Sequence, residues 1–278
     1  MNNLEFTVAI FLVSGIAGFL GALTGLGGGV IITPVLSLLF GVDIRYAIGA
    51  TLVSVIATSS GAAAAYVREG LSNIRIGMFL EIATTLGAIF GAFLSARTPT
   101  AVLAVIFGLV LLYSAYISSR HQMEHQGPDH SDPLAVRLRM DASYPTPTGL
   151  KSYHVSRVKT GFGLMFGAGT LSGLLGIGSG ALKVIAMDQA MRLPFKVSTT
   201  TSNFMIGVTA AASAGVYLSR GYINPSLAMP VMLGVLFGSM LGARKLVEAR
   251  TKLLRYIFGF VVAIMAIEMI YGGLTGRI

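Results

Sequence analysis

The sequence predicts an all-α polytopic membrane protein made of two inverted repeats of about five helical segments each, with glycine-broken helices near the bilayer midplane. Three observations carry this. Of its 278 residues, 54% are hydrophobic and only 11% charged, where a soluble domain carries about 25% charged residues. The charges fall in short clusters between apolar runs of roughly twenty residues, enough helix to cross a hydrocarbon core of about 30 Å. Gly25-Leu-Gly-Gly-Gly29 returns in mid-chain as Gly176-Ile-Gly-Ser-Gly180, each copy interrupting such a run.

In chain order, the apolar segments of the first half lie at about 5–24, 28–41, 47–67, 75–96 and 100–119. A polar stretch runs from Arg120 to about Arg157. The second half repeats the pattern at about 158–175, 179–191, 197–218, 225–246 and 253–273. The chain therefore divides into a first membrane repeat (1–119), a cytoplasmic linker (120–157) and a second membrane repeat (158–278). Met1 to Glu5 has no basic residue, so the first apolar run reads as a retained span rather than a cleaved signal peptide.

The two halves align without a gap at a constant offset of 151. Gly25, Gly27, Gly29, Tyr66, Gly70, Asn73, Gly87 and Gly91 meet Gly176, Gly178, Gly180, Tyr217, Gly221, Asn224, Gly238 and Gly242. This is an internal duplication. Basic residues collect on cytoplasmic loops, and that bias decides the relative orientation. If the short segments after the glycine breaks do not cross, basic residues split almost evenly between the two sides. If they do cross, Arg68, Arg75, the central loop, Arg192, Lys196 and the cluster Arg244, Lys245, Arg250 and Lys252 all lie inside. Only Arg45, Arg97, Arg220 and Arg277 then remain outside. Five segments is an odd number, so the halves are inverted, with a cytoplasmic central loop and both termini outside. A segment of 13 residues makes roughly 20 Å of helix, so it crosses only as part of a broken span sheltered by neighbours.

The same bias explains the net charge of +9 without invoking nucleic acid, for which no basic helix or aromatic-interleaved basic run is present. The chain has no cysteine, which excludes disulfides and thiolate chemistry. Nothing calls for a cofactor. His121, Glu124, His125, Asp129, His130 and Asp132 lie together in the central loop. Histidine and carboxylates can hold a metal, but their order and the nearby proline and glycine favour a solvated linker.

Glycine exposes its backbone and is costly inside a helix, and in lipid unwound backbone is tolerated only where protein or a watery cavity shelters it. Matching interruptions in two halves of a membrane protein point to a transporter's substrate site. Gly27, Gly28 and Gly29, with Gly178, Ser179 and Gly180, are therefore the first candidates for binding. A helix starting after each break aims free N–H groups at an anion. Gly87 with Gly91, and Gly238 with Gly242, instead read as helix-packing pairs. Lys183 is the second kind of candidate: a lysine inside a membrane segment costs about 2.5–3.5 kcal/mol. Its ammonium either meets a sulfonate or carboxylate, snorkels to an interface, or pairs with Asp188. The hydroxyls of Thr51, Ser54 and Ser202 and the amide of Asn203 can donate to oxyanion oxygens, while Ser198 and Thr199 read as helix caps. Glu81 and Glu268 interrupt apolar helices and read as interfacial or arginine-paired, with proton relay as the other possibility.

The run GALTGLGGGVIITPVL (Gly21 to Leu36), followed by AIGATL (Ala47 to Leu52), resembles the TauE/SafE sulfite exporter family, also called the toluene sulfonate uptake permease family. The second half matches with SGLLGIGSGALKV (Ser172 to Val184) and VSTTTSNFMIGV (Val197 to Val208). The resemblance implies a membrane carrier for sulfite, other sulfur oxyanions, organosulfonates or small carboxylates. It departs from the family pattern at Ser179, where glycine is frequent, and at Lys183, where an aliphatic residue is usual. The expected function is secondary transport by alternating access, in the lipid bilayer, with a proton or sodium ion as possible coupling partner. A passive anion channel and an intramembrane enzyme with Ser179 as nucleophile are the alternatives. The enzyme needs an activating base; all four histidines lie in the loop, which leaves Lys183, four residues on, as the candidate. The glycine runs also lack the lysine-serine/threonine ending of a phosphate-binding loop.

Overall fold

A computed structural model describes residues 3–24, 29–68, 71–119, 131–146, 149–245 and 251–277. Among these the fold is helical. The first half holds α1 (Asn3–Thr24), α2 (Gly29–Phe40), α3 (Ile44–Arg68), α4 (Ile74–Ser95) and α5 (Thr100–Ser119). The second holds α7 (Val158–Leu175), α8 (Gly180–Ile185) continued by a π-helical turn Ala186–Ala190, α9 (Phe195–Ser219), α10 (Pro225–Lys245) and α11 (Thr251–Thr275). Each of these helices coincides with an apolar run bounded by polar residues or by a glycine break, and the long apolar side chains left exposed run along their outer faces. On α4 these are Met78, Ile82, Leu86 and Phe90; on α11, Phe260, Ile264, Ile267 and Tyr271. Apolar spans with apolar outer surfaces are what a bilayer solvates, and this is an all-α membrane architecture.

The linker differs from expectation. Its described part is ordered: α6 (Pro133–Arg137) precedes an antiparallel hairpin of β1 (Ala142–Thr146) and β2 (Gly149–Tyr153), with Ala142 opposite Tyr153 and Tyr144 opposite Lys151. Ala135, Met140, Tyr144, Tyr153 and Val155 are buried with Ile76 and Leu80 of α4 and Met187 and Met191 of the π turn and its end. Those apolar contacts are why the segment does not stay solvated. Asp132 is the N-cap of α6, accepting from the Leu134 and Val158 amides. His121, Glu124, His125, Asp129 and His130 lie outside the described residues.

Helices of the first half pair with helices of the second. α1 packs on α10 and α4 on α7, while α3 meets α9 and α5 meets α11. Small residues set these close crossings. A Cβ at Gly87 or Gly91 would fall on the Phe166 or Thr170 carbonyl of α7, and one at Gly238 on the Gly15 carbonyl of α1.

Two ends of the molecule are defined by contacts. At one, Arg45 donates to the Thr98 carbonyl (2.8 Å) and lies over Tyr222, Arg220 lies over Phe93, and Phe6 meets Phe40. At the other, Asn73 donates to the Met140 carbonyl (2.8 Å) and to Tyr153 (2.7 Å), and Ser156 donates to the Met191 carbonyl.

Candidate functional site

The second glycine break is a sharp left-handed turn. Gly176 caps α7 at φ 69° and Gly178 shares that value, a region that costs other residues roughly 1–2 kcal/mol. Ser179 adopts it too (φ 46°) at the start of α8. The Tyr217 hydroxyl reaches the Gly173 and Leu174 carbonyls (3.2 Å each), so α7 ends against side chain rather than solvent.

Gly29, at the start of α2, lies close to Gly176 of the second break. A Cβ on Gly29 would approach the Gly176 carbonyl, and would press on Thr51 and Val55 of α3. At offset 151, a Cβ on Gly180 would press on Ile206 and approach Ser202 of α9. The pairing of break and following helix is thus the same in both halves. Gly27 and Gly28 lie outside the described residues.

The hydroxyls are disposed unequally. Thr51 donates to the Ala47 carbonyl (2.8 Å) and accepts from Thr33 (2.8 Å), and Ser54 donates to the Thr51 carbonyl (2.8 Å). Ser202 donates to the Gly180 carbonyl (3.2 Å), tying α9 to the break. Ser179 is buried, and its hydroxyl has no partner among the described residues. Asn203 is half-buried on α9. Ser198 and Thr199 do not cap α9, because the helix begins earlier, at Phe195 after Pro194; Thr199 instead donates back to the Phe195 carbonyl. One turn further along α3 and α9, a cavity of about 390 Å³ lies between Ile56, Ser59, Ser60, Phe204 and Gly207.

Lys183 is completely buried. It neither snorkels nor turns to Asp188: its Nζ donates to Thr209 Oγ1 on α9 at 2.5 Å. Thr209 Oγ1 is also 2.7 Å from Glu81 Oε1 on α4, and Thr85 donates to the same carboxylate oxygen at 3.1 Å. Glu81 is therefore buried inside the bundle rather than interfacial, and the cation near it is Lys183 rather than an arginine. Glu81 Oε2 has no partner among the described residues. Glu268 is exposed on α11. Thr209 escaped the sequence reading, although it is identical to Thr58 at the repeat offset. Buried charged groups need hydrogen bonds to offset desolvation: Thr209 bridges Lys183 to Glu81, and Thr85 adds a second bond to Glu81.

The family profile "Sulfite exporter TauE/SafE" matches residues 10–269. The chain is similar to the probable membrane transporter protein YunE of Bacillus subtilis, with 30% identity over 267 residues, covering 93% of this chain and 95% of that protein. It is also similar to the probable membrane transporter protein YdhB of the same organism (27%, 85% and 87%). A probable membrane transporter protein of Methanocaldococcus jannaschii matches as well (24%, 94% and 94%). No solved structure matches the chain.

Proposed function

The chain belongs to the sulfite exporter TauE/SafE family of membrane transporters, and on that footing we propose that it is a secondary carrier of small anions by alternating access. The substrates are sulfite, other sulfur oxyanions, organosulfonates or small carboxylates. One observation carries the anion: a fully buried ammonium, Lys183, stands one turn beyond the second glycine break and has a single hydrogen-bond partner, Thr209, among the described residues. A lysine ammonium has three donors, so two remain for oxyanion oxygens. The Ser179 hydroxyl, without a partner among the described residues, and the half-buried Asn203 amide add neutral donors on the same two elements. From the other half, Gly27, Gly28 and Gly29 with Thr51 and Ser54 of α3 complete the substrate-binding set, Gly29 being packed against Thr51.

The two membrane repeats, 1–119 and 158–278, are inverted and rock about the paired breaks. The reciprocal packing of α1 on α10 and α4 on α7 supports a pseudo-two-fold relation. The orientation is supported by the basic residues: Arg75 reaches the Arg139 carbonyl at the linker end, while Arg45 and Arg220 collect at the opposite end. The linker end is cytoplasmic, and both termini are outside.

Counterflow in proteoliposomes tests this. Lumenal thiosulfate, methanesulfonate or sulfite should accelerate uptake of the same labelled anion, as a carrier does and a pore does not. Uptake of all three that is unaffected by preloading overturns the carrier reading.

A further inference from the structure

Lys183 and Glu81, bridged by the Thr209 hydroxyl, together meet any anion that approaches them. With Glu81 ionised, the charge of Lys183 is already balanced, and a sulfonate or carboxylate arriving there meets no net attraction. Taking a proton onto Glu81 leaves the ammonium uncompensated. We propose that Glu81 is the proton-binding group of this transporter, and that its protonation makes Lys183 available to the anion, so that anion and proton move together. This rests on the carrier reading above.

The geometry supports it at three points. Glu81 is buried, with Oε1 hydrogen-bonded to Thr209 and Thr85, whereas Oε2 is sealed from solvent and unpartnered among the described residues. An oxygen so placed is unsatisfied as a carboxylate, and a proton on it gives a neutral acid. Next, Thr209 has one hydroxyl proton and two acceptors in reach, Glu81 Oε1 at 2.7 Å and the Met205 carbonyl at 2.9 Å, while it accepts from Lys183. With Glu81 ionised the proton points to the carboxylate; once Glu81 is protonated it is released to Met205. Finally, Glu81 stands on α4 of the first half and Lys183 and Thr209 on α8 and α9 of the second, so the bridge spans the two units that move.

The other charges packed around α4 are elsewhere. Lys159 on α7, Lys196 on α9 and Arg75 on α4 itself are exposed in first helical turns. Tyr217 is at the far end of α9, bonded to Ser95, and Asp188 lies in the π turn beyond Lys183. Lys183 is the one charge among the described residues bridged to Glu81. The step balances simply, the carboxylate taking one proton from water on the side then open and returning it on the other, with no bond to carbon or sulfur changed.

The test is thiosulfate binding to the purified full chain in detergent across pH, thiosulfate having no titratable proton in the neutral range. Wild-type affinity should strengthen by up to about tenfold for each unit the pH falls, the slope of one linked proton. Glu81→Gln should bind with a flat profile, and Glu81→Asp, which keeps the acid, should restore the slope. Wild-type binding that is flat with pH overturns the proposal and leaves the carrier intact, as does an undiminished slope in Glu81→Gln. Failure of wild type to bind thiosulfate, methanesulfonate or sulfite at any pH removes the anion site, and the proposal falls with it.

Discussion

Lys183 and Glu81, 102 positions apart in sequence (183 minus 81), are joined through the single hydroxyl of Thr209, which lies 2.5 Å from one and 2.7 Å from the other. Removing one member of such a buried pair exposes the other to the full cost of desolvation, about 3–5 kcal/mol. Lys183→Met is therefore expected to lower the unfolding temperature in detergent and to weaken anion binding by about tenfold or more, the loss of one charge-assisted contact. The double variant Lys183→Met with Glu81→Gln should recover the stability but not the binding. Thermal unfolding and titration calorimetry on the same samples separate the two effects.

The α4–α7 crossing makes a second expectation. At Gly173 a Cβ would fall on the Ala88 carbonyl, whereas Gly163, on the same helix, faces open space. Gly173→Leu should destabilise by at least about 1–3 kcal/mol through overpacking, because backbone rather than a flexible side chain stands in the way. Gly163→Ala should be neutral or gain up to about 1 kcal/mol of helix propensity. Thermal unfolding of both variants measures the contrast.

Asn73 performs three tasks at the linker end. Its Oδ1 accepts from the Ile76 amide at the start of α4, and its Nδ2 donates to the Met140 carbonyl and to the Tyr153 hydroxyl. Asn73→Ala should lose about 1 kcal/mol or more from the cap alone, and should open residues 131–157 to limited proteolysis.

Burial pushes the Tyr153 hydroxyl up to about 12, with Asn73's hydrogen bond acting against the shift and Asp141 adding to it. A raised value in the folded protein means that the unfolded chain releases this proton first, from pH 10.0 upward. The contribution of Tyr153 is thus complete below pH 10 and is lost as pH rises toward 12. Tyr153→Phe should flatten the fall in linker stability across that window, read by hydrogen exchange of the β1–β2 amides.

Much of this architecture is legible in the sequence because each helix is an apolar run ended by a charge, a proline or a glycine break. The run at 158–175 coincides with α7 and the run at 100–119 with α5. The hairpin is not legible for the opposite reason: each strand has only five residues, and Pro145 within β1 argues against a strand. What holds it is the burial of Tyr144 and Tyr153 against helices far away in sequence. Lys183 stands out as a charge among apolar residues, but nothing local reveals which way it turns. Glu81 reads as interfacial because a helix of exposed and buried faces gives no sign of which face a lone acid occupies, and its partner Thr209 lies 128 positions away.

The β1–β2 hairpin is held from both sides. Through Tyr153 and Met140 it grips Asn73 at the foot of α4, and through the adjoining Ser156 it grips Met191 at the foot of the second broken span. A segment that merely connected the two halves would leave each indifferent to the other. This one is a strut clamped at each end, so a substitution that releases one clamp is expected to loosen the foot of the other half as well.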